Sequence, residues 1–392
     1  MACQKRMGKN DFRMKVLIAG DFCQTGRVDG CVRSGEYGKL FDTVKPYTGK
    51  ADYSIVNLEI PIVPRGEKAK PIAKYGPSLK GSEEAVKALA YGGFDCCTLA
   101  NNHVMDQGEK CCIATKETVE RNGLDTVGAG RNISEASSVL YKKINGETLA
   151  IINCCEHEFS TADEVRAGAN PINPIQIYYQ IQEAKSRGEH VIVITHGGAE
   201  MYQLPTPGMQ ERYRFFIDAG ARAVVNHHQH CLSGYERYGN GVIFYGLGNF
   251  CFDTSGDKDD LRTDGYMVEL DLSESVGFEI YPYRQCADTA GVRMLSAADD
   301  DHKRILGKVE ELNRMINDPA TLVEKFNELV DRQEMFYNNM FSPFGERFFW
   351  RLKRIGMLGV VLRMFNWAKA MDIVACETHY ERFVRMIERK IK

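Results

Sequence analysis

The 392-residue chain has no surplus of positive charge: 50 Lys and Arg stand against 53 Asp and Glu, a formal net charge of −3. Nucleic-acid binders carry a basic face, so this balance argues against DNA or RNA as a partner. Long apolar runs are missing too. The run 16-VLIAG-20 follows Lys5, Arg6 and Lys9 but is too short for a signal-peptide core, and Asp21 interrupts it. Nothing approaches the ~18 apolar residues of a membrane-spanning helix. The sequence therefore reads as cytoplasmic.

No C-x-x-C occurs among the 13 cysteines, although there are three vicinal pairs: Cys96-Cys97, Cys111-Cys112 and Cys154-Cys155. An odd count in so long a chain is not a small disulfide scaffold, and the expectation is reduced, buried thiols packing as small apolar groups. A P-loop and a G-x-G-x-x-G are absent as well, so 128-GAG-130 reads as a turn. Internal repeats and low-complexity tracts are not evident.

What the chain does have is a series of short apolar runs: 16-VLIAG-20, 54-SIVNL-58, 96-CCTLA-100, 149-LAIINCC-155, 191-VIVIT-195, 223-AVVN-226 and 242-VIFYGL-247. Continuous rather than alternating apolar runs suggest strands of a sheet covered on both faces. Helix-like segments lie between them. In 82-SEEAVKALAYGG-93, Ser82 is placed as N-cap, an acidic first turn follows and glycines mark the stop. Segments 109–123 and 174–188 also end in Gly. Alternating strand and helix point to a layered α/β domain. From about residue 298 the chain reads as helical, with 300–317, 319–340 (Pro319 near its start) and an aromatic, arginine-rich segment at 343–371. This predicts a domain over 1–290 and an α-helical C-terminal extension over 291–392.

The residues that follow the strands carry the chemistry. Asp21 ends the first, Glu59 follows the second and Asn102-His103 follow the third; His196 ends the 191–195 run and 226-NHHQH-230 ends the next. Gly248-Asn249 follow the last. Parallel strands present their carboxyl ends along one edge, where ligands bind, so these scattered residues should converge. Five of the nine histidines fall in these motifs. Imidazole nitrogen with carboxylate and amide oxygen suits Zn, Mn or Fe rather than an all-oxygen site. His228 and His230, two apart, would point to one side of an extended segment.

These pieces resemble the CapA family of poly-γ-glutamate capsule biosynthesis proteins, whose domain is similar to calcineurin-like metallophosphoesterases. The matching motifs, in the family's order, are 20-GD-21, 57-NLE-59, 94-FD-95, 100-ANNHVMDQG-108, 128-GAG-130, 195-THGGAE-200, 227-HHQH-230 and 245-YGLGNF-250. The resemblance implies a layered metallophosphoesterase-like fold and two divalent transition-metal ions (Mn, Zn or Fe). It implies Asp21 and His230 on the first ion, Glu59 bridging, and Asn102, His196 and His228 on the second. His103 would be general acid or transition-state donor, with Asp106 orienting it. His227 reads as a packing residue, Glu200 and Asn249 as rim residues, and His157, His190, His302 and His379 as lying outside the motifs.

The chain departs from the family pattern at four places. Cys23 stands where D-x-H would put a histidine, so the first ion would be held more weakly or by a thiolate. Gly197 replaces the Trp of H-W-G and opens space; 226-NHHQH-230 replaces G-H-H-P-H; and Gly246 stands where Ser is frequent.

The resemblance implies a metal-dependent hydrolase or transferase of capsule or exopolymer biosynthesis, acting at a phosphoryl or amide/acyl centre on a capsule polymer or its precursor. The alternative is a non-enzymatic, polymer-binding assembly component that contacts capsule synthase subunits. The segment 343–371 bears on that alternative. Arg347, Arg351 and Arg354 share a helical face beside Phe348, Leu352 and Ile355, as in a helix lying peripherally on an anionic membrane. Packing on its own domain or in a dimer is the plainer reading of that segment.

Overall fold

The computed structural model describes residues 14–74, 76–187, 189–254, 260–272, 275–341, 354 and 367–391. In chain order the strands are β1 (Lys15–Cys23), β2 (Tyr53–Leu58), β3 (Cys96–Thr98), β4 (Asp125–Val127), β5 (Ala129–Gly130), β6 (Leu140–Ile144), β7 (Glu147–Cys155) and β8 (Gly168–Ala169). The second half supplies β9 (His190–His196), β10 (Ala223–His227), β11 (Tyr235–Tyr238), β12 (Gly241–Phe244), β13 (Asn249–Phe252), β14 (Asp264–Asp271), β15 (Gly277–Gln285) and β16 (Val292–Met294).

They form two large sheets rather than one. An 8-stranded sheet runs β16-β15-β14-β1-β2-β3-β4, with β13 also paired to β1, and a 6-stranded sheet runs β11-β12-β10-β9-β7-β6. Pairing is parallel from β1 to β4 and from β7 through β9 and β10 to β12. The edges β6, β11 and β14–β16 are antiparallel.

Why the strands are apolar without alternation is visible in their burial. Val16, Ile18 and Ile55 join a cluster that includes Ile151, Ile192 and Val224 of the other sheet. Leu17, Ala19 and Val56 join a second cluster with Val86, Leu89 and Val119 of the helices Glu83–Tyr91 and Glu109–Arg121. Both faces are covered, as the sequence pattern requires. The vicinal cysteines obey the same alternation: Cys96 and Cys154 enter the first cluster, Cys97 and Cys155 the second. The described cysteines are buried and free, in keeping with their reading as small apolar side chains.

Two local expectations are revised. Ser82 has the extended backbone of an N-cap, but its side chain does not cap the helix. Its N–H and hydroxyl instead donate to Gln24 Oε1 at 2.8 and 3.1 Å. The 242–247 run is strand only to Phe244; the chain then crosses between sheets and enters β13, whose Asn249 pairs with Asp21.

After β16 come the helices Asp300–Ile316, Pro319–Phe341, Trp367–Ala375 and Glu377–Ile391. Described apolar residues from them join the main core. Leu312, Ile316, Phe326, Ile373 and Met386 belong to the same buried cluster as the strands of the second sheet. Most of segment 343–371, including Arg347 and Arg351, lies outside the described residues, and with it the proposed membrane-facing stripe. Among the described residues no helix is long and apolar enough to cross a membrane.

One buried side chain ties the two sheets together beneath their carboxyl edge. Asn153, on β7, accepts from the N–H groups of Leu99 and Ala100 at 3.2 and 2.8 Å and donates to the Ile194 carbonyl at 3.0 Å. Gly128 makes room for it: with φ at +95°, a Cβ there would lie 2.0 Å from Asn153 Oδ1. Replacing Asn153 by Ala leaves the Ala100 N–H and the Ile194 carbonyl short of a partner. The expected loss is about 2–4 kcal/mol of unfolding free energy, read by urea denaturation. A loss within ~0.5 kcal/mol, ordinary for a surface site, would contradict this role.

Candidate metal centre

The residues after the strands do meet, where the carboxyl edges of the two sheets come together. Asp21 and Glu59 come from β1 and from the residue after β2; Asn102 and His103 follow β3; His196 ends β9; and His228 and His230 follow β10. The register of β1 shifts on both sides of Asp21. Such irregularities re-aim a side chain. Gly20 allows the close approach this needs, since a Cβ there would fall 1.9 Å from the Gly248 carbonyl oxygen.

Two groups of ligand atoms converge, Glu59 with His196 and His228, and Asp21 with Glu59 and His230. Within each, the atoms lie within 4.8 Å of one another. Glu59 is common to both. Asn102 Oδ1 lies 3.0 Å and His228 Nδ1 lies 3.2 Å from His196 Nε2. Nitrogen and oxygen ligands about 2.0–2.1 Å from one ion stand roughly 3 Å apart, so these three atoms fit around a single cation. Glu59 supplies the second test. It is fully buried, and among the described residues neither carboxylate oxygen has a hydrogen-bond partner.

The electrostatics agree with that fit. Burial pushes Glu59 well above the usual carboxylate range, and nearby Asp21 adds to the effect. Burial and the neighbouring imidazoles hold His196 well below its ordinary value, and burial brings His228 down to about 4. Both rings are therefore neutral near pH 7 and able to act as ligands.

His228 and His230 reach the site by a route the spacing did not foresee. Strand β10 stops at His227, and the two candidate ligands take left-handed backbone, with φ of 91° and 59°. They do not lie on one side of an extended segment. The intervening Gln229 is held by its Nε2, which donates to the Tyr202 and Leu204 carbonyls at 2.9 and 3.2 Å. Positive φ in non-glycine residues is costly and concentrates at functional sites. His227 packs as expected, with Nε2 2.9 Å from the Ala19 carbonyl.

His103 and Asp106 are paired, Nδ1 to Oδ2 at 2.7 Å, and His103 Nε2 lies 3.9 Å from Glu59 Oε1. Asn101 holds the turn, accepting from the His103 N–H at 3.1 Å and donating to the Leu58 carbonyl at 2.9 Å. Asn249 is not a rim residue: it is fully buried, with Oδ1 2.9 Å from His230 Nδ1. Cys23 is absent from both ligand groups; it lies in the apolar cluster under the helices, and burial raises its thiol well above the ordinary value. The thiolate alternative has no support in that environment.

Several site residues escaped the sequence reading. Asn57 Nδ2 donates to Asp21 Oδ1 at 2.7 Å, within the 57-NLE-59 motif itself. The Lys74 side chain is buried and bonds Asp106, with its Nζ 3.2 Å from His103 Nδ1. A cavity of about 390 Å³ opens over the centre. Lys74, Glu158 and Glu200 line it beside His103 and His228, and Asp372, His379 and Arg382 close it from the C-terminal helices. His379 is thus a cavity residue although it lies outside every motif. Glu158 is pushed up to about 8, first by burial and then by Asp372. Larger cavities elsewhere contain none of the ligand residues.

The orphaned carboxylate yields a direct test. Its folded-state pKa lies above the unfolded value of about 4.3. Metal-free protein therefore loses stability as pH rises from that value through the folded one. Glu59→Gln should abolish this loss and melt higher than the metal-free parent at pH 7 by scanning fluorimetry. Mn²⁺ at about 100 times its Kd should stabilise the parent by about 2.7 kcal/mol and the variant far less. Equal responses of the two proteins would remove Glu59 from the centre.

The family described as "Bacterial capsule synthesis protein PGA_cap" matches residues 15–254. Over 247 residues the chain is 32% identical to the capsule biosynthesis protein CapA of Bacillus anthracis, covering 62% of this chain and 60% of that protein. It is also 32% identical over 278 residues to the PGA biosynthesis protein CapA of Bacillus subtilis strain 168, covering 70% and 72%. The chain thus spans three-fifths of the length of the first relative and nearly three-quarters of the second. A 5′-nucleotidase precursor from Thermus thermophilus overlays with a TM-score of 0.44 at 11% identity, over 76% of this chain and 59% of that one. With its match to most of the strand-bearing region and its identity to two CapA proteins, the chain belongs to the PGA_cap family of bacterial capsule synthesis proteins.

Proposed function

We propose that the chain serves capsule or exopolymer biosynthesis as a metal-dependent hydrolase or transferase acting at a phosphoryl or amide/acyl centre. The observation that carries this reading is Glu59, buried with no hydrogen bond to its carboxylate among the described residues and shared by two sets of candidate ligand atoms. Asp21, Glu59 and His230 would hold one divalent ion, and Glu59, Asn102, His196 and His228 a second. When bound, such ions neutralise negative charge developing on a reacting phosphoryl or acyl oxygen.

The chain's own groups account for the rest. Asn57 fixes one oxygen of Asp21 and the His228 N–H fixes the other, at 2.7 and 3.1 Å. Protonated His103 has two donors: Nδ1–H is held by Asp106, and Nε2–H is left for a leaving-group oxygen. Asp106 favours that charged form, while burial, the larger effect, and Lys74 oppose it. The Leu79 N–H bonds Asp106 Oδ2 at 2.6 Å and Lys74 its other oxygen, so the carboxylate that orients His103 is itself fixed. The helices Trp367–Ala375 and Glu377–Ile391 cover the cavity and limit water. A capsule polymer or its precursor is the proposed substrate, and capsule synthase subunits are the proposed partners.

The test is turnover of a generic phosphodiester and of poly-γ-glutamate by purified protein supplied with Mn²⁺ or Zn²⁺. General-acid catalysis contributes about 10²–10⁴-fold. His103→Ala should lose turnover on that scale while retaining its metal, counted by elemental analysis. Full metal content with no turnover of either substrate, together with undiminished binding to synthase subunits, would instead favour a non-enzymatic assembly role.

A further inference from the structure

We propose that the helix pair Trp367–Ala375 and Glu377–Ile391 positions the His196 loop of the metal centre through the buried carboxylate of Glu156. The consequence for metal binding rests on the reading of His196 as a ligand; the positioning itself does not.

Glu156 follows β7, which lies beside β9, and it brackets the end of that neighbour. Its N–H donates to the His196 carbonyl at 3.0 Å. Its Oε2 accepts from the Gly198 N–H at 3.1 Å. Gly197, the residue after His196, is therefore held from both sides by one residue. Gly197 does not leave open space beside the ligand, because Glu156 occupies it: a Cβ on Gly197 would lie 2.6 Å from Glu156 Cγ.

The far side of the same carboxylate belongs to the C-terminal helices. Thr378 Oγ1 donates to Glu156 Oε1, and Cys376 Sγ lies 3.7 Å from Oε2. Arg212 Nη1 approaches to 3.9 Å. The next residue repeats the link, since the His157 N–H donates to Glu377 Oε2 at 3.0 Å and the His157 ring meets Oε1. Residues 156–157 and 376–378 thus form one junction, buried at Glu156, Cys376 and Thr378 and half-buried at His157 and Glu377. A buried carboxylate that loses a donor must find another or shift. Its shift would move the Gly198 amide, and with it the backbone of His196.

The helical half of the junction, 376–378, lies more than a hundred residues beyond the stretch matched by the family, 15–254. The same helices carry Asp372, His379 and Arg382 to the cavity wall. Docking of the helices and geometry of the ligand loop are therefore set by one set of hydrogen bonds. Partners that orient a ligand are worth roughly 10–100-fold in metal affinity.

The experiment compares the full chain with Thr378→Val, which keeps the shape and removes the hydroxyl, and with Thr378→Ser, which restores it. Hydrogen exchange of the 195–199 segment is followed in metal-free protein. Mn²⁺ binding is followed by equilibrium dialysis with elemental analysis. In Thr378→Val, exchange should quicken at Gly197–Gly198 and one of two Mn²⁺ ions should weaken about 10–100-fold, while the other holds. Thr378→Ser should recover both. The proposal is overturned by unchanged exchange in Thr378→Val. It is overturned equally by exchange that rises evenly along the chain with both ions weakening together, the signature of general destabilisation. Should the parent bind no Mn²⁺, the metal reading falls and the exchange pattern alone decides the positioning.

Discussion

Glu59 is fully buried, and among the described residues neither of its oxygens is hydrogen-bonded. Removing an ionised carboxylate from water costs several kcal/mol even after relaxation. Protonation or a cation can offset that cost, and the surroundings restrict the choice. The buried ammonium of Lys74 is committed to Asp106. His196 Nε2, 3.7 Å from Glu59 Oε1, belongs to a ring held neutral by burial. Asp21 adds a second negative charge rather than relieving the first. A fold that assembles this group at the meeting point of two sheets has built a place whose unmet need is positive charge.

The rest of the architecture keeps that place rigid. Asn226, on β10, donates to the Gly197, His227 and Tyr245 carbonyls at 2.8–3.0 Å and accepts from Thr195 and Tyr213 at 2.8 Å. It pins the start of the ligand loops from below, much as Asn153 pins the loop after β3. The left-handed backbone of His228 and His230 is strain that such a framework over-determines. Loops free to relax would drop both residues back toward ordinary φ and pull the imidazoles apart.

How much of this could be read from the chain depends on the range of the interaction. The strands were legible because burial on both faces leaves a continuous apolar signature, as in 191-VIVIT-195. The convergence of Asp21, Glu59, Asn102 and the three histidines was legible because parallel strands share one edge. That there are two sheets was not, since nothing local distinguishes the parallel strands of one from those of the other. The geometry of His228 and His230 was misjudged because period-two alternation applies only while the strand continues, and it stops at His227. Lys74, Glu156 and His379 left no signal because their partners are 32, 222 and 7 residues away or lie across a cavity that only the folded chain encloses.

The departures from the family pattern look like losses in one dimension and are compensated in three. Gly197 is matched by Glu156, whose side chain fills the vacated volume. Gly246 is matched by Gln229 in the same way, since a Cβ at 246 would lie 2.4 Å from Gln229 Oε1. Each exchange is met by a buried polar side chain, Glu156 against the loop after β9 and Gln229 within the loop after β10, leaving the candidate ligand side chains in place. The consequence for the proposed metal binding follows from where the candidate ligands sit. Asp21, Glu59 and Asn102 lie in or just after strands of the first sheet, and His196, His228 and His230 in or just after strands of the second. Ions held by both would cross-link the sheets, so their binding free energy would also stabilise the packing of one sheet on the other. Buried polar residues beside the centre, Glu156 and Gln229 among them, would then alter its affinity without touching an ion.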